Sequence, residues 1–426
     1  MTGSRVELGL RQNAAQFTLL VAINALVGAM VGLERSTLPL IGANDFGLTS
    51  TVAVLSFIVA FGLAKSFTNL AAGALAERIG RRRLLIAGWA LALPVPLLIA
   101  IAPNWGWVVA ANVFLGVNQG LTWSMTVLMK IDLVGPRQRG LALGLNESAG
   151  YGGVALAAAA SGWLAAEFVA RDVLVIAAAA VAATALVVSA IFVRDTAAHV
   201  ALEQEAHPAE SGAPPRLRDA FNAASFRVPA LRACSQAGLV NNLNDALAWG
   251  LVPLFLAADG ASTGQIGLVA GIYPAVWGVG QIWTGHWSDR VGRKRPIVGG
   301  MLLQASALAL LSASGGDVAI AALSAIALGA GTALVYPTLI ASISDSVSPV
   351  ARAPTVGVYR FWRDMGYVVG GLAVGLLADA IDPAATIAAV AGLTALSGLL
   401  VWVELPGVTT PSSAPRPARP IRPWRA

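Results

Sequence analysis

Of 426 residues 57% are hydrophobic and only 12% are charged, with a mean hydropathy of +0.72. Soluble domains carry about 25% charged residues, so this chain lacks the side chains to cover two or three water-facing domains, and an integral membrane protein is expected. The single cysteine, Cys234, excludes an internal disulfide framework and Cys-rich metal sites, and His199, His207 and His286 lie too far apart for a His-built metal centre, so neither metal nor cofactor is expected.

Arg5 and Arg11 precede an apolar run from about Gln16 to Pro39. A signal-peptide core has only about 7–15 apolar residues, so this run is read as an uncleaved first span. The bilayer demands about 20 mostly apolar residues per helix because it offers backbone groups no water. Twelve segments meet that demand, at roughly 15–40, 48–75, 84–102, 105–130, 140–166, 172–193, 230–257, 263–286, 296–314, 317–344, 354–380 and 383–404. The expected organisation is a tail (1–14), six helices (15–193), a Pro/Glu/Arg-rich linker (194–229), six more helices (230–404) and a disordered basic tail (405–426). The linker reads as a solvated connector, with regulation as the alternative. With the N-terminus inside, 23 Lys and Arg fall on one side and Arg171 alone on the other, which places both termini in the cytoplasm. The asymmetry also accounts for the net charge of +6 without nucleic acid as a partner. Membrane lipid can hold the tail arginines Arg416, Arg419, Arg422 and Arg425. Gly28/Gly32, Gly140/Gly144, Gly267/Gly271 and Gly366/Gly370 repeat the four-residue spacing that lets helices approach closely.

One charged stretch occurs twice. Gly73, Glu77, Arg78, Gly80 and Arg81, followed by Arg82 and Arg83, recur 212 residues on as Gly285, Asp289, Arg290, Gly292 and Arg293, followed by Lys294 and Arg295. An offset of half the chain marks a doubled unit. The two glycines, Gly73 and Gly285, are expected to permit close helix contact. Glu77 and Asp289 can accept from exposed N–H groups at a helix N-terminus, where the dipole favours an anion.

Twelve spans, the six-plus-six doubling, the central linker and the two hinges together resemble the major facilitator superfamily over residues 10–405. The resemblance implies an all-α membrane fold of two six-helix bundles that alternate access to a central site. It implies a cavity lined by spans 1, 4, 7 and 10, with spans 2 and 11 packed across the interface on one side and 5 and 8 on the other. It further suggests that Glu77 latches onto the start of span 11 near Arg352 and Thr355 when the cytoplasmic side closes. Two family signatures depart: Asn112 stands where proton antiporters often carry Arg in span 4, and Ala149-Gly150-Tyr151-Gly152-Gly153 in span 5 lacks the expected proline.

Ionisable residues inside spans cost about 2.5–3.5 kcal/mol each, so each is a functional candidate. They are Glu34, Arg35, Lys65, Glu147, Asp245, Arg360, Arg363 and Asp364. At 1.5 Å per residue, Lys65 and Asp364 lie ~12 and ~13 Å from the same side, which puts them in one layer with Arg360. Arg360 and Asp364, four residues apart, are expected to pair. Lys65, Arg360 and Arg363 against one acid leave two surplus positives, either a structural cluster or a site for an anion. Glu147 is the leading candidate for proton coupling, with Asp245 and Glu34 behind it; alternatively Glu147 bonds Asn146 and Tyr151, or pairs with Arg360 or Arg363. Glu34 and Arg35 form either an external gate or a snorkelling pair. Asn241, Asn242, Asn244, Asp245 and Trp249 are expected to line the cavity with Asn118, Gln119, Trp123, Thr332 and Tyr336.

The chain has neither a phosphate-binding Gly-x-x-x-x-Gly-Lys-Ser/Thr loop nor a hydrolase signature, so it reads as a transporter and not an enzyme. The expected activity is proton-coupled secondary transport of a small solute by alternating access in a bacterial inner membrane, as a monomer and leaning to efflux. The alternatives are uptake of a small organic or inorganic anion on Lys65, Arg360 and Arg363, and a membrane receptor or scaffold that does not transport.

Overall fold

The computed structural model describes residues 6–135, 139–206 and 215–406. The expected disordered tail falls almost wholly outside these residues. Every regular element among them is helical. In the first half these are α1 (Ala14–Arg35), α2 (Leu38–Asn44), α3 (Thr51–Ile79), α4 (Arg81–Ala90), α5 (Pro94–Ala100), α6 (Trp105–Val134), α7 (Arg139–Glu167) and α8 (Ala170–Phe192). In the linker lie α9 (Ala197–Ala206), α10 (Leu217–Asn222) and a π-turn over Ala223–Arg227. The second half holds α11 (Pro229–Ala258), α12 (Thr263–Val291), α13 (Lys294–Ser312), α14 (Val318–Ser346), α15 (Pro349–Ala380) and α16 (Pro383–Glu404).

Two spans are broken, and proline sets the position of each break. A proline ring collides with the carbonyl four residues earlier. Pro39 thus ends α1 at Arg35, and Pro94 ends α4 at Ala90. Taking α1–α2 and α4–α5 as single spans, nine helical segments among the described residues are long and apolar enough to cross a membrane. The helices α6, α11 and α15 are as long, at 30, 30 and 32 residues, but more polar. They carry most of the buried amides, and α15 carries Arg363 and Asp364.

Helices α3 and α15 pack on one another between the halves, as do α7 and α12. These are the span pairs 2/11 and 5/8 expected from the resemblance. Both seams close at the end away from the hinges. Gly162 meets Gly267 backbone to backbone, and Gly375 sits on Val52. Asp379 of α15 accepts from Ser50 Oγ and from the amides of Thr51 and Val52, so one half caps a helix of the other. Toward the hinge end one glycine on each of α3, α7 and α15 faces open space among the described residues. A Cβ at Gly73, Gly144 or Gly357 would meet nothing within 4 Å.

Among the described residues, then, nothing packs close to Gly73, contrary to the contact expected of it. The glycine that shapes each hinge is the later one: Gly80 and Gly292 have φ of +93° and +84°, which side chains with a Cβ resist. The linker also differs from a free connector. Thr196 Oγ1 donates to Asp132, Ala220 and Ala224 are buried, and Phe221 packs on Phe361 and Trp362 of α15.

Close packing in the first half depends on missing side chains. A Cβ on Gly28 would stand 1.8 Å from Gly150 O, and one on Gly153 would stand 2.0 Å from Ala25 O. Gly153→Ala is expected to lower the melting temperature of the purified protein sharply, by forcing α1 from α7. Gly144→Ala meets no neighbour and should be neutral or stabilising by up to ~1 kcal/mol through helix propensity. Equal losses at the two sites would show that the α1–α7 approach is not what limits stability.

Candidate functional site

Two ionic clusters cross between the halves, joined by aromatic rings. The first lies midway along α3 and α15. Lys65 Nζ stands 3.7 Å from Asp364 Oδ1, and the neighbouring Arg363 stands 3.6 Å from the same oxygen. Asn69 donates to Asp364 Oδ2 at 2.5 Å and in turn accepts from Ser124. Lys65 is held among the rings of Phe61, Tyr367 and Trp123, at 5.3, 5.4 and 5.8 Å from their centroids. Arg363 donates to Tyr151 Oη at 2.9 Å and lies 4.2 Å over Tyr336 and 5.8 Å over Trp277. Glu147 Oε1 accepts from Trp123 Nε1 at 2.9 Å and from Asn146 Nδ2 at 3.0 Å, while its buried Oε2 has no partner among the described residues.

The second cluster lies nearer the end away from the hinges. Arg35 donates two hydrogen bonds to Asp245, at 2.6 and 2.8 Å, and Tyr367 Oη donates to the same carboxylate at 2.5 Å. Both ions are buried, and Arg35 also lies 5.3 Å over the Trp249 ring. The break at Pro39 places Arg35 on the last turn of α1, where its side chain reaches α11 across the interface.

Several expectations change here. Among the described residues no ion pair joins Arg360 to Asp364; the acid is taken by Lys65 and Arg363, and Arg360 stays half-exposed. Among the buried ions, Lys65 and Arg363 stand against Asp364 and Glu147, so the expected surplus of two positives disappears. Glu147 bonds Asn146, one of its expected partners, but not Tyr151, whose hydroxyl serves Arg363. Asp245 is engaged by Arg35 and Tyr367 and is not free on a cavity wall. Glu34 and Arg35 are 1% and 3% exposed, so neither snorkels.

Most of the expected polar wall turns inward to its own bundle. Asn118 donates to Gly88 O and Gln119 to Val27 O, tying α6 to α4 and α1. Asn244 donates to Gln304 and accepts from Thr394, and Gln304 donates to Asn241, which ties α11 to α13 and α16. Thr332 bonds Leu328 O and Tyr273. Asn242 is buried under Gly366 of α15, with no hydrogen-bond partner among the described residues. The bilayer core supplies no water, so amides there satisfy one another. Trp123 and Tyr336 remain beside the ions.

At the hinge end the doubling extends to pairs that sequence reading passed over. Arg81 Nε meets Asp132 Oδ2 at 2.7 Å, and its counterpart Arg293 meets Asp345 Oδ2 at 2.9 Å. Asp132 and Asp345 are 213 residues apart, within one residue of the 212 that relates the hinges, so the repeat would have found them. Asp289 pairs with Arg293 at 2.6 Å, while Glu77, its counterpart, is exposed. Arg352 donates to Ser344 O and Thr355 to Ala351 O, and among the described residues no hydrogen bond or ion pair joins either to Glu77. Arg78 and Arg290 are exposed, and the surroundings of Gly285 and His286 lie outside the described set. Lys130, counted with a loop, is instead buried in α6 and donates to Leu20 O.

A doubled helical membrane fold with buried ions on the seam between its halves is the architecture of an alternating-access carrier. The chain belongs to the Major Facilitator Superfamily, whose family model matches residues 17–240 and 234–426. Among solved structures it is similar to a mutant form of the nucleoside transporter NupG, at 14% identity and a TM-score of 0.75, covering 92% of this chain and 100% of that one. It is also similar to a POT family transporter in complex with a thioalcohol-conjugated peptide, at 13% identity and a TM-score of 0.73, covering 91% and 95%. The chain is thus a transmembrane transporter of the secondary kind.

Because Arg35 and Asp245 are buried, removing one strands the other. Arg35→Ala or Asp245→Asn alone is expected to cost about 3–5 kcal/mol, whereas the paired change Arg35→Met with Asp245→Leu should cost much less. Denaturant or thermal melts of the three variants in one detergent measure this. Losses that simply add would mean that the pair is not a coupled unit.

Proposed function

We propose that this protein is a proton-coupled exporter of a small solute, in which Glu147 takes the proton. The observation that carries this is the half-satisfied carboxyl: Oε1 is fixed by Trp123 and Asn146, and Oε2 is left to a proton or a donor. Glu147 stands beside the Lys65–Asp364–Arg363 layer, so a change in its charge is felt where the halves meet. Glu34, also buried with a carboxylate oxygen lacking a partner among the described residues, is a second proton site. Asp245, held by Arg35 and Tyr367, serves as the lock of the end away from the hinges.

In this scheme the hinge end is cytoplasmic, as the basic residues require, and both termini lie there in a bacterial inner membrane. In the same scheme the far side is locked by Arg35–Asp245. Proton uptake would accompany opening of the lock, and Glu77 would then engage the start of α15. The chain acts as a monomer, with a small solute, protons and lipid as its partners. Export is favoured over anion uptake because the layer has no positive surplus.

Inverted membrane vesicles energised by respiration and loaded with a pH-sensitive acridine dye test the coupling. Adding solutes from a panel of zwitterions, anions and lipophilic cations should release protons from vesicles holding the wild-type protein. Glu147→Gln should abolish that release while keeping solute exchange. Proton release at the wild-type rate by Glu147→Gln would remove Glu147 from the coupling role.

A further inference from the structure

We infer that the central layer binds a small zwitterion, its anionic group on Lys65 and Arg363 and its ammonium on Glu147. The inference rests on the transporter reading above and names the solute class of that site. Three observations converge. Asp364 Oδ1 lies 3.7 Å from Lys65 and 3.6 Å from Arg363, too far for a direct hydrogen bond to either, and accepts none from any other described residue. Arg363 Nε is buried without an acceptor among the described residues, although its Nη2 is held by Tyr151. Glu147 Oε2 is likewise buried without a donor, although its Oε1 is held twice.

The layer therefore holds two cations, Lys65 and Arg363, and two carboxylates, Asp364 and Glu147, each with hydrogen-bonding capacity left unspent among the described residues. A carboxylate or similar anion can enter between Lys65 and Arg363 in competition with Asp364. It leaves the ion count unbalanced unless the same molecule brings a positive charge. Glu147 offers that charge a partner. The connecting surface is aromatic: Trp123 bonds Glu147 and lies 5.8 Å from Lys65 Nζ, and Tyr151 bonds Arg363 and lies 5.3 Å from Trp123. Tyr151 also lies 3.5 Å from the Trp277 ring, so the wall between the two charge sites is a continuous set of rings. Such a wall suits an apolar body joining the two charges. A monoanion would leave Glu147 Oε2 unmet, and a simple amine would leave Arg363 Nε unmet.

The test uses matched probes on the purified full-length protein in lipid nanodiscs: phenylalanine, 3-phenylpropionate and phenethylamine, then 6-aminohexanoate, hexanoate and hexylamine. Binding is read from the melting temperature and from tryptophan fluorescence. At least one zwitterion is expected to bind about 10- to 100-fold more tightly than its carboxylate and amine counterparts, the loss that follows from one charge-assisted hydrogen bond. Lys65→Met should weaken the zwitterion to the level of the amine, and Glu147→Gln to the level of the carboxylate. The wild-type comparison stands even if a variant does not fold. A carboxylate or an amine that binds as tightly as its zwitterion overturns the inference, and so does a panel in which no zwitterion binds. Calorimetry in two buffers of different ionisation enthalpy counts protons released on binding. Zwitterion binding without release keeps this inference and removes Glu147 from proton coupling; proton uptake on binding a monoanion, with no zwitterion bound, does the reverse.

Discussion

The ion pair between Arg35 and Asp245 is the contact on which the closed end of this structure depends. Two charges buried in a bilayer-embedded seam cannot be left apart, because an unpaired ion there costs several kcal/mol. The pair is bidentate, is reinforced by the Tyr367 hydroxyl, and joins the first helix of one half to the first helix of the other. Its geometry follows from a local accident of sequence. Pro39 ends α1 at Arg35, and the guanidinium at that last turn reaches α11. Opening the far side means parting these ions, so something must compensate each of them at that moment.

The central layer follows the same electrostatic logic with a different outcome. Where Arg35 and Asp245 satisfy one another through two hydrogen bonds, Lys65, Arg363 and Asp364 sit at distances that leave donors and acceptors unspent. Tyr367 touches both regions, donating to Asp245 and presenting its ring to Lys65. A change of charge in the layer therefore has a physical route to the lock. At the hinge end the duplicated pairs Arg81–Asp132 and Arg293–Asp345 tie each hinge to the end of a neighbouring helix in its own half. Each bundle can then move as a unit while the seam between bundles opens.

Much of the architecture is legible in the linear chain. Apolar runs long enough for a bilayer, a 212-residue repeat and a one-sided distribution of arginines are properties of the linear chain. Lys65 and Asp364 could be placed in one layer by counting helical rise, since a helix converts residue number into depth. Azimuth was less legible. Counting predicts depth well, but which way a side chain points depends on helix rotation against its neighbours, which no single helix encodes. Asn118, Gln119, Asn241 and Asn244 were therefore assigned to a cavity when they bind the interior of their own bundles. For the same reason Arg360 was paired with Asp364, which Arg363 and Lys65 hold instead.

By itself, then, the sequence determined the solvent, the order of the spans and their bounds within a few residues, the doubling, and the set of charges that must be reconciled inside the membrane. Those features follow from composition and spacing, which act along the chain. Tertiary structure alone decided which charge meets which: that Arg35 reaches across to Asp245, that Glu147 keeps one oxygen unmet by the described residues, and that the Gly80 and Gly292 turns shape the hinges while none of those residues packs close to Gly73. Tertiary pairings join residues up to 329 positions apart, as between Ser50 and Asp379. They are set by the rotation and tilt of packed helices, which only the assembled bundles define.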